Sequence, residues 1–235
     1  DIYGKSMLPE LLTALCEIDG FKWIRTLYCY PERITDELLD VIAKEDKLVK
    51  YLDMPIQHCD KTILKRMNRR GDRETLTALI KKIREKIPNV TLRTTLITGF
   101  PGETKEQFEE LCEFVKEIRF ERLGCFAYSP EEGTPAEKFE DQVPLKDRER
   151  RAEIIMEEQM IISDSLNEAA LDSEVEVVCE GFDRYAECYY GRSQADAPEI
   201  DGKIFFLSED KVRVGEYVKV KIDDTMDYDL IGSKM

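Results

Sequence analysis

The run Val90-Thr91-Leu92-Arg93-Thr94-Thr95-Leu96-Ile97-Thr98-Gly99-Phe100-Pro101-Gly102-Glu103-Thr104 carries a strand straight into the start of a helix. Thr104, with Gln107 three residues on, forms a capping box, so the helix is expected to begin there and to run through Ile118. Gly99 and Gly102 let the backbone turn tightly and come close to a ligand, and the free N–H groups of the helix start suit an anion such as a carboxylate. The alternative is a plain turn built from Gly and Pro.

Working outward, the same alternation recurs. Strands are expected at Trp23 to Tyr30, closed by Pro31, at Tyr51 to Gln57 and at Leu123 to Ser129. Helices fill the gaps: Thr35 caps one through Lys44, and Asp60 and Asp72 cap two more before the Pro88 break. Strands joined by helical crossovers predict a parallel α/β sheet. Leu8, Leu11, Leu12 and Leu15 form a helical stripe ahead of the first strand, yet only Asp1-Ile2-Tyr3-Gly4-Lys5 stand before it. A crossover helix needs a preceding strand, so the chain is expected to begin partway through a βα barrel or open sheet.

From Pro144 a charged helix bearing Ile154, Ile155, Met156, Ile161 and Ile162 runs to about Leu171. Five short β-rich pieces follow, at 175–179, 185–190, 203–207, 217–222 and 228–231, and they predict a small all-β barrel. The expected division is therefore 1–142 for the βα part, 143–171 for a connecting helix and 172–235 for the β-barrel.

The 235 residues are 42% hydrophobic, with 50 acidic against 35 basic side chains and a net charge of −15, which excludes disorder and fibres. No apolar run approaches the length needed to cross a bilayer, so a soluble chain without membrane contact is expected. Seven widely spaced cysteines suit a reducing compartment, with a cytoplasmic location as the default. No two of them lie closer than Cys179 and Cys188, so spacing supports no local iron–sulfur or zinc site, and no metal ligand is assigned. The last 64 residues hold 16 acidic and 8 basic side chains. That sign disfavours a phosphate backbone and fits a basic protein partner.

Candidate polar residues gather at the expected carboxyl edge of the sheet, where ligands of parallel α/β folds sit. Gln57 offers an amide to a polar ligand, its alternative being a strand-edge residue facing water. His58, the single histidine, excludes any relay of two imidazoles and is read first as a structural residue. Lys61, Lys65, Arg66, Arg69 and Arg70 reverse the global charge locally and could hold an acidic group, though most are expected to be solvated. Arg93, if it points into a barrel, must meet an anion; otherwise it faces solvent.

Together these segments resemble the radical S-adenosylmethionine (SAM) methylthiotransferases over almost the whole chain. The resemblance rests on Tyr3-Gly4, Leu27-Tyr28-Cys29-Tyr30-Pro31, Asp53-Met54-Pro55-Ile56-Gln57-His58, Leu64-Lys65-Arg66-Met67-Asn68-Arg69, the Arg93 to Thr104 run, and Phe126-Ala127-Tyr128-Ser129-Pro130-Glu131-Glu132-Gly133-Thr134. The tail is similar to a TRAM domain. Gln57-His58, Arg93-Thr94-Thr95, Gly191-Arg192-Ser193 and Asp196-Ala197-Pro198-Glu199-Ile200-Asp201-Gly202 resemble the branch called RimO, which methylthiolates the β-carbon of an aspartate in small-subunit ribosomal protein S-twelve.

The resemblance implies part of a TIM-like radical SAM βα barrel followed by a TRAM barrel. It implies SAM and two 4Fe-4S clusters as cofactors, with the cluster cysteines outside this chain, and an external electron donor. This chain alone is then expected to be inactive. Gln57, Arg93, Gly99, Gly102, Thr104 and Tyr128 are the residues expected to border SAM. Lys65, Arg66 and Arg69 are expected to receive the acidic substrate residue, and Asp196, Glu199 and Asp201 to meet the basic ribosomal protein. A tRNA substrate and a non-catalytic binding module are the competing readings.

Overall fold

A computed structural model describes residues 3–235; the first two residues of the opening segment quoted above lie outside it. The chain divides into two compact units, Asp1–Gln159 and Met160–Met235.

The first unit is built on four parallel strands in the order β1-β2-β3-β4: β1 (Ile24–Thr26), β2 (Leu48–Asp53), β3 (Thr91–Thr98) and β4 (Arg122–Ala127). Helices α1 (Leu8–Cys16), α2 (Asp36–Lys44), α3 (Lys61–Arg66), α4 (Arg73–Lys86) and α5 (Lys105–Ile118) accompany them. Four caps read from the sequence are in place. Thr35 accepts the Leu38 N–H, Asp60 accepts those of Thr62 and Ile63, and Asp72 and Thr104 each close a capping box. Among the described residues no further strand pairs with β1 or β4, so the sheet is an open, partial barrel.

All four strands are shorter than the sequence suggested, β1 most of all. β1 ends at Thr26 because Tyr28 turns into the left-handed region (φ +58°) and gives its N–H to the Asp53 carboxylate instead of to a ladder. β2 begins earlier, at Leu48, and stops at Asp53; Pro55 has no N–H, and pairing resumes only as a single bridge between Gln57 and Leu96. β4 begins one residue earlier, at Arg122, and ends two residues earlier, at Ala127.

The core lies between sheet and helices. Leu39 and Ile42 of α2, Leu48 and Leu52 of β2, Ile63 of α3, Leu92 and Leu96 of β3, and Leu111, Phe114 and Val115 of α5 are all closed to solvent. Each such side chain contributes roughly 1.5–3 kcal/mol of burial free energy.

Helix α6 (Leu145–Glu168) starts directly after Pro144 and contains the point where the two units divide. The second unit is a closed barrel of five strands in the order β5-β6-β7-β9-β8: β5 (Glu174–Asp183), β6 (Cys188–Arg192), β7 (Ile204–Leu207), β8 (Tyr217–Met226) and β9 (Asp229–Lys234). β5 and β8 are longer than expected. β6 starts later because Asp183 folds 184–187 into a turn, accepting the N–H groups of Tyr185 and Ala186. Val177, Cys179, Ile204, Phe206, Val218, Val220 and Ile222 fill the barrel.

Candidate functional site

Strand register places a row of charge across one face of the first sheet. Asp53 stands opposite Arg93, and Arg93 opposite Arg122. Residues directly opposite share a face, so all three point away from the face that carries Leu92 and Leu96. Asp53 is fully buried; its Oδ1 lies 3.4 Å from Arg93 Nη1, and its Oδ2 accepts the Tyr28 N–H at 3.1 Å. Arg93 therefore meets an anion inside the protein. Beside this row the Arg25 guanidinium stacks on the Tyr51 ring, 4.2 Å from its centre.

At the carboxyl edge, Gln57 adopts φ +71°, which is uncommon outside glycine. Its backbone is locked by two bonds to β3, Gln57 N to Thr95 O and Ile97 N to Gln57 O, both 2.9 Å. Its side-chain Oε1 is buried without a hydrogen-bond partner. Tyr128, just past β4, is also buried, and its hydroxyl has no partner either. Its ring meets Phe100 edge-on at 5.1 Å, and burial pushes its phenol pKa up. Strain and unsatisfied polar atoms concentrated at one sheet edge are features of ligand sites.

The Gly99 to Thr104 turn is held by side chains that the sequence gave no reason to single out. Glu103 is buried; its Oε2 accepts the Gly99 N–H at 2.9 Å, and its Oε1 pairs with Arg151 at 2.6 Å. Gly99 has φ +69°, and a Cβ there would stand 2.7 Å from Arg148 Cβ and 2.9 Å from Arg148 Cα. Arg148 in turn donates to Val143 O and Tyr128 O. Gly102, with φ +84°, lies against the Arg66–Asp141 ion pair. Both glycines admit neighbouring groups of the chain itself. Thr104 is exposed and accepts the Gln107 N–H.

His58 is fully buried. Its Nδ1 accepts the Asp60 N–H at 2.9 Å, so the ring proton sits on Nε2, 3.5 Å from Glu103 Oε2. Its contacts are those of a residue that ties two loops together. In the basic cluster, Arg66 pairs with Asp141 and lies over Phe139, and Arg69 lies over Tyr30. Lys61, Lys65 and Arg70 are exposed.

In the tail loop, Asp196 is buried and accepts both the N–H and the hydroxyl of Ser193, while Asp201 accepts the Ala197 N–H. These two carboxylates shape the loop, and Glu199 is exposed. A cavity of about 590 Å³ beside them is lined by Glu180, Tyr190, Arg192, Glu199 and Lys203 among others. Among the described residues no three of His, Cys, Asp and Glu come together as a metal site, and no helix is long and apolar enough to cross a membrane.

Residues 5–115 match the radical SAM superfamily, and residues 173–234 match the TRAM domain. The chain is 51% identical over 233 residues to the ribosomal protein uS12 methylthiotransferase RimO of Lachnoclostridium phytofermentans, covering 99% of this chain and 53% of that protein. It is 48% identical over 232 residues to the protein of the same name from Clostridium botulinum strain Okra, with 99% and 52% covered. The chain thus spans about half the length of the curated relatives it matches. Among solved structures, coproporphyrinogen III oxidase (HemN) from Escherichia coli, a radical SAM enzyme, superposes with a TM-score of 0.51 at 24% identity, over 67% of this chain and 36% of that one. That likeness concerns the fold alone.

Proposed function

We propose, from a chain whose residues 5–115 are radical SAM and whose residues 173–234 are a TRAM domain, that the whole protein is a methylthiotransferase acting on ribosomal protein uS12. The observation that carries this reading is the unbroken similarity through both units to relatives of that name. The division of labour is 1–142 for holding SAM, 143–171 as a connecting helix and 172–235 for the protein substrate.

The carboxyl edge suits SAM. Gln57 Oε1 and the Tyr128 hydroxyl are buried polar atoms without protein partners, and a ligand rich in ammonium, hydroxyl and amine groups would satisfy them. Arg93 is assigned to the methionyl carboxylate or ribose, and Gly99, Gly102 and Thr104 to the turn that borders SAM. SAM, bound with an iron–sulfur cluster, would supply radical chemistry at an unactivated carbon. The residues of this chain orient SAM and keep water out. The ligands of two 4Fe-4S clusters are assigned to the rest of the protein, and the electrons to an external donor.

For the substrate, Lys65 is the exposed member of the Lys65, Arg66 and Arg69 group and the first to meet an acidic residue. In the tail, Glu199 is the exposed carboxylate facing a basic protein, with Asp196 and Asp201 holding its loop. A cytoplasmic site of action follows from a ribosomal substrate.

The test is the full-length protein, reconstituted with iron and sulfide without oxygen and given SAM, dithionite and either uS12 or tRNA. A methylthio group in place of one hydrogen on a uS12 aspartate is the expected product. Modification of tRNA alone would replace this reading with the nucleic-acid one, and no deoxyadenosine from SAM would favour a binding module.

A further inference from the structure

One end of the five-stranded barrel is formed by the last residues of β5, β7 and β9 and the first of β6. Register brings them level: Phe182 pairs with Tyr189, Tyr189 with Phe206 and Leu207 with Ser233. A cavity of about 690 Å³ opens there, lined by Phe182, Glu187, Tyr189, Leu207, Glu209 and Met235 among others. An aromatic ladder climbs into it from the core. Phe206, closed to solvent, stacks on Tyr189 with ring centres 5.6 Å apart, and Tyr189 meets Phe182 edge-on at 4.9 Å. The Tyr189 hydroxyl accepts the Val212 N–H at 3.3 Å, which fixes the middle ring at its far end. Phe182, the outermost ring, is 48% exposed, and it shares the cavity with Leu207 at 59% and Met235 at 63%.

Charge in the cavity is one-sided. Lys234 pairs with Asp210 at 3.3 Å, which leaves Glu187 and Glu209, both exposed, without an ion pair among the described residues. Single exposed apolar side chains are ordinary on a protein surface, but three in one concavity with two uncompensated carboxylates make it selective. The acids repel a phosphate backbone, and a purely apolar segment would desolvate them without giving them a partner. An arginine side chain answers both demands: its flat guanidinium lies on an aromatic ring while its five donors reach carboxylates. The ladder holds the Phe182 ring in place before anything binds, so little side-chain freedom is lost on contact.

We propose that this end of the barrel is a docking groove for an arginine-bearing segment of the protein substrate, with the Phe182 ring as its platform and Glu187 and Glu209 as its acceptors. The groove is separate from the Glu199 loop, whose cavity is lined by other residues. It rests on the reading of the substrate as the basic protein uS12, and names the side chain by which that protein is held.

The experiment titrates this chain with uS12 by calorimetry, at low and at raised salt, and records the thermal midpoint of every variant. Phe182→Ala is expected to raise the Kd about tenfold at either salt concentration, as the loss of an aromatic anchor does. Glu187→Gln with Glu209→Gln is expected to raise it about fivefold at low salt and less at high salt. Asp223→Asn with Asp227→Asn makes the same change in charge on exposed residues outside the cavity, and is expected to keep the native Kd. Equal losses from the two carboxylate pairs would show that net charge alone attracts uS12, and would overturn the groove. Native affinity in Phe182→Ala would overturn it too, as would tRNA binding that depends on Phe182 in place of uS12 binding. Should Phe182→Ala fail to fold, the glutamate pair is read against its control. A short arginine-rich peptide is expected to displace uS12, and a lysine-rich peptide of the same length that does so equally well would overturn the choice of arginine. A native chain that binds the arginine peptide but not uS12 would retire uS12 as the substrate and keep the groove; one that binds neither would overturn the groove.

Discussion

His58 and Glu103, on separate loops and both closed to solvent, face each other with Nε2 and Oε2 3.5 Å apart. Glu103 also carries the Arg151 ion pair and the Gly99 N–H. Replacing it with Gln leaves Arg151 without its buried counter-charge. The expected cost is about 3 kcal/mol, or roughly 6–12 °C in thermal midpoint for a chain of this size. Calorimetry of Glu103→Gln measures it, and a midpoint within a degree of native would show that solvent screens the pair.

Gly99→Ala sets a Cβ against Arg148 Cα at 2.9 Å in a backbone conformation that disfavours it. The helix backbone cannot retreat as a flexible side chain would, so a loss of about 2 kcal/mol or more is expected. Gly133→Ala is the control. It also has a positive φ, +82°, but open space around the new methyl, and should cost only about 1 kcal/mol. Equal effects in denaturant melts would remove the packing argument.

Burial pushes the Cys125 thiol up to about 12 and the Cys112 thiol up to about 11. Between the ordinary thiol value near 9 and these raised values, the unfolded chain has released protons that the folded chain still holds. Stability therefore falls as pH rises through that window and is untouched below it. Melts from pH 7 to 11 should show the decline, and Cys125→Ala should lessen it, the rest coming from Cys112 and the other thiols that burial raises, such as Cys59. At pH 7.5 neither thiol should react with iodoacetamide until the protein unfolds.

In the tail, Asp196→Ala strips the Ser193 N–H and hydroxyl of their buried acceptor, with an expected cost of about 2 kcal/mol. Glu199→Gln, on an exposed side chain, should leave the melt unchanged and weaken binding to uS12 in a salt-dependent way. Unchanged uS12 binding by Glu199→Gln would place the contact elsewhere.

Local chemistry made much of this fold legible. Thr35, Asp60, Asp72 and Thr104 announced four helices because a cap needs only the next three residues. Alternation and turns announced the tail barrel, though the longer β5 and β8 depend on partners far along the chain. Nothing local singled out the packing of Glu103, Arg148 and Arg151, because it depends on α6 returning to a turn more than forty residues earlier. Asp53 lay inside a quoted motif, but its reach links the end of β2 to β3 and to the loop after β1, and no spacing encodes it. Gln57 and Arg93 could be picked out as polar residues at a sheet edge. The two orphaned atoms, Gln57 Oε1 and the Tyr128 hydroxyl, appear only once the backbone is folded.

Along its outer side, β4 offers six residues of backbone that no described strand takes up, and Phe126 beside it is 63% exposed. Such a rim is a template for a second molecule. Concentrated stocks of this polypeptide should turn cloudy sooner than its net charge of −15 would suggest, and a lysine at Phe126 is the simplest way to keep them clear.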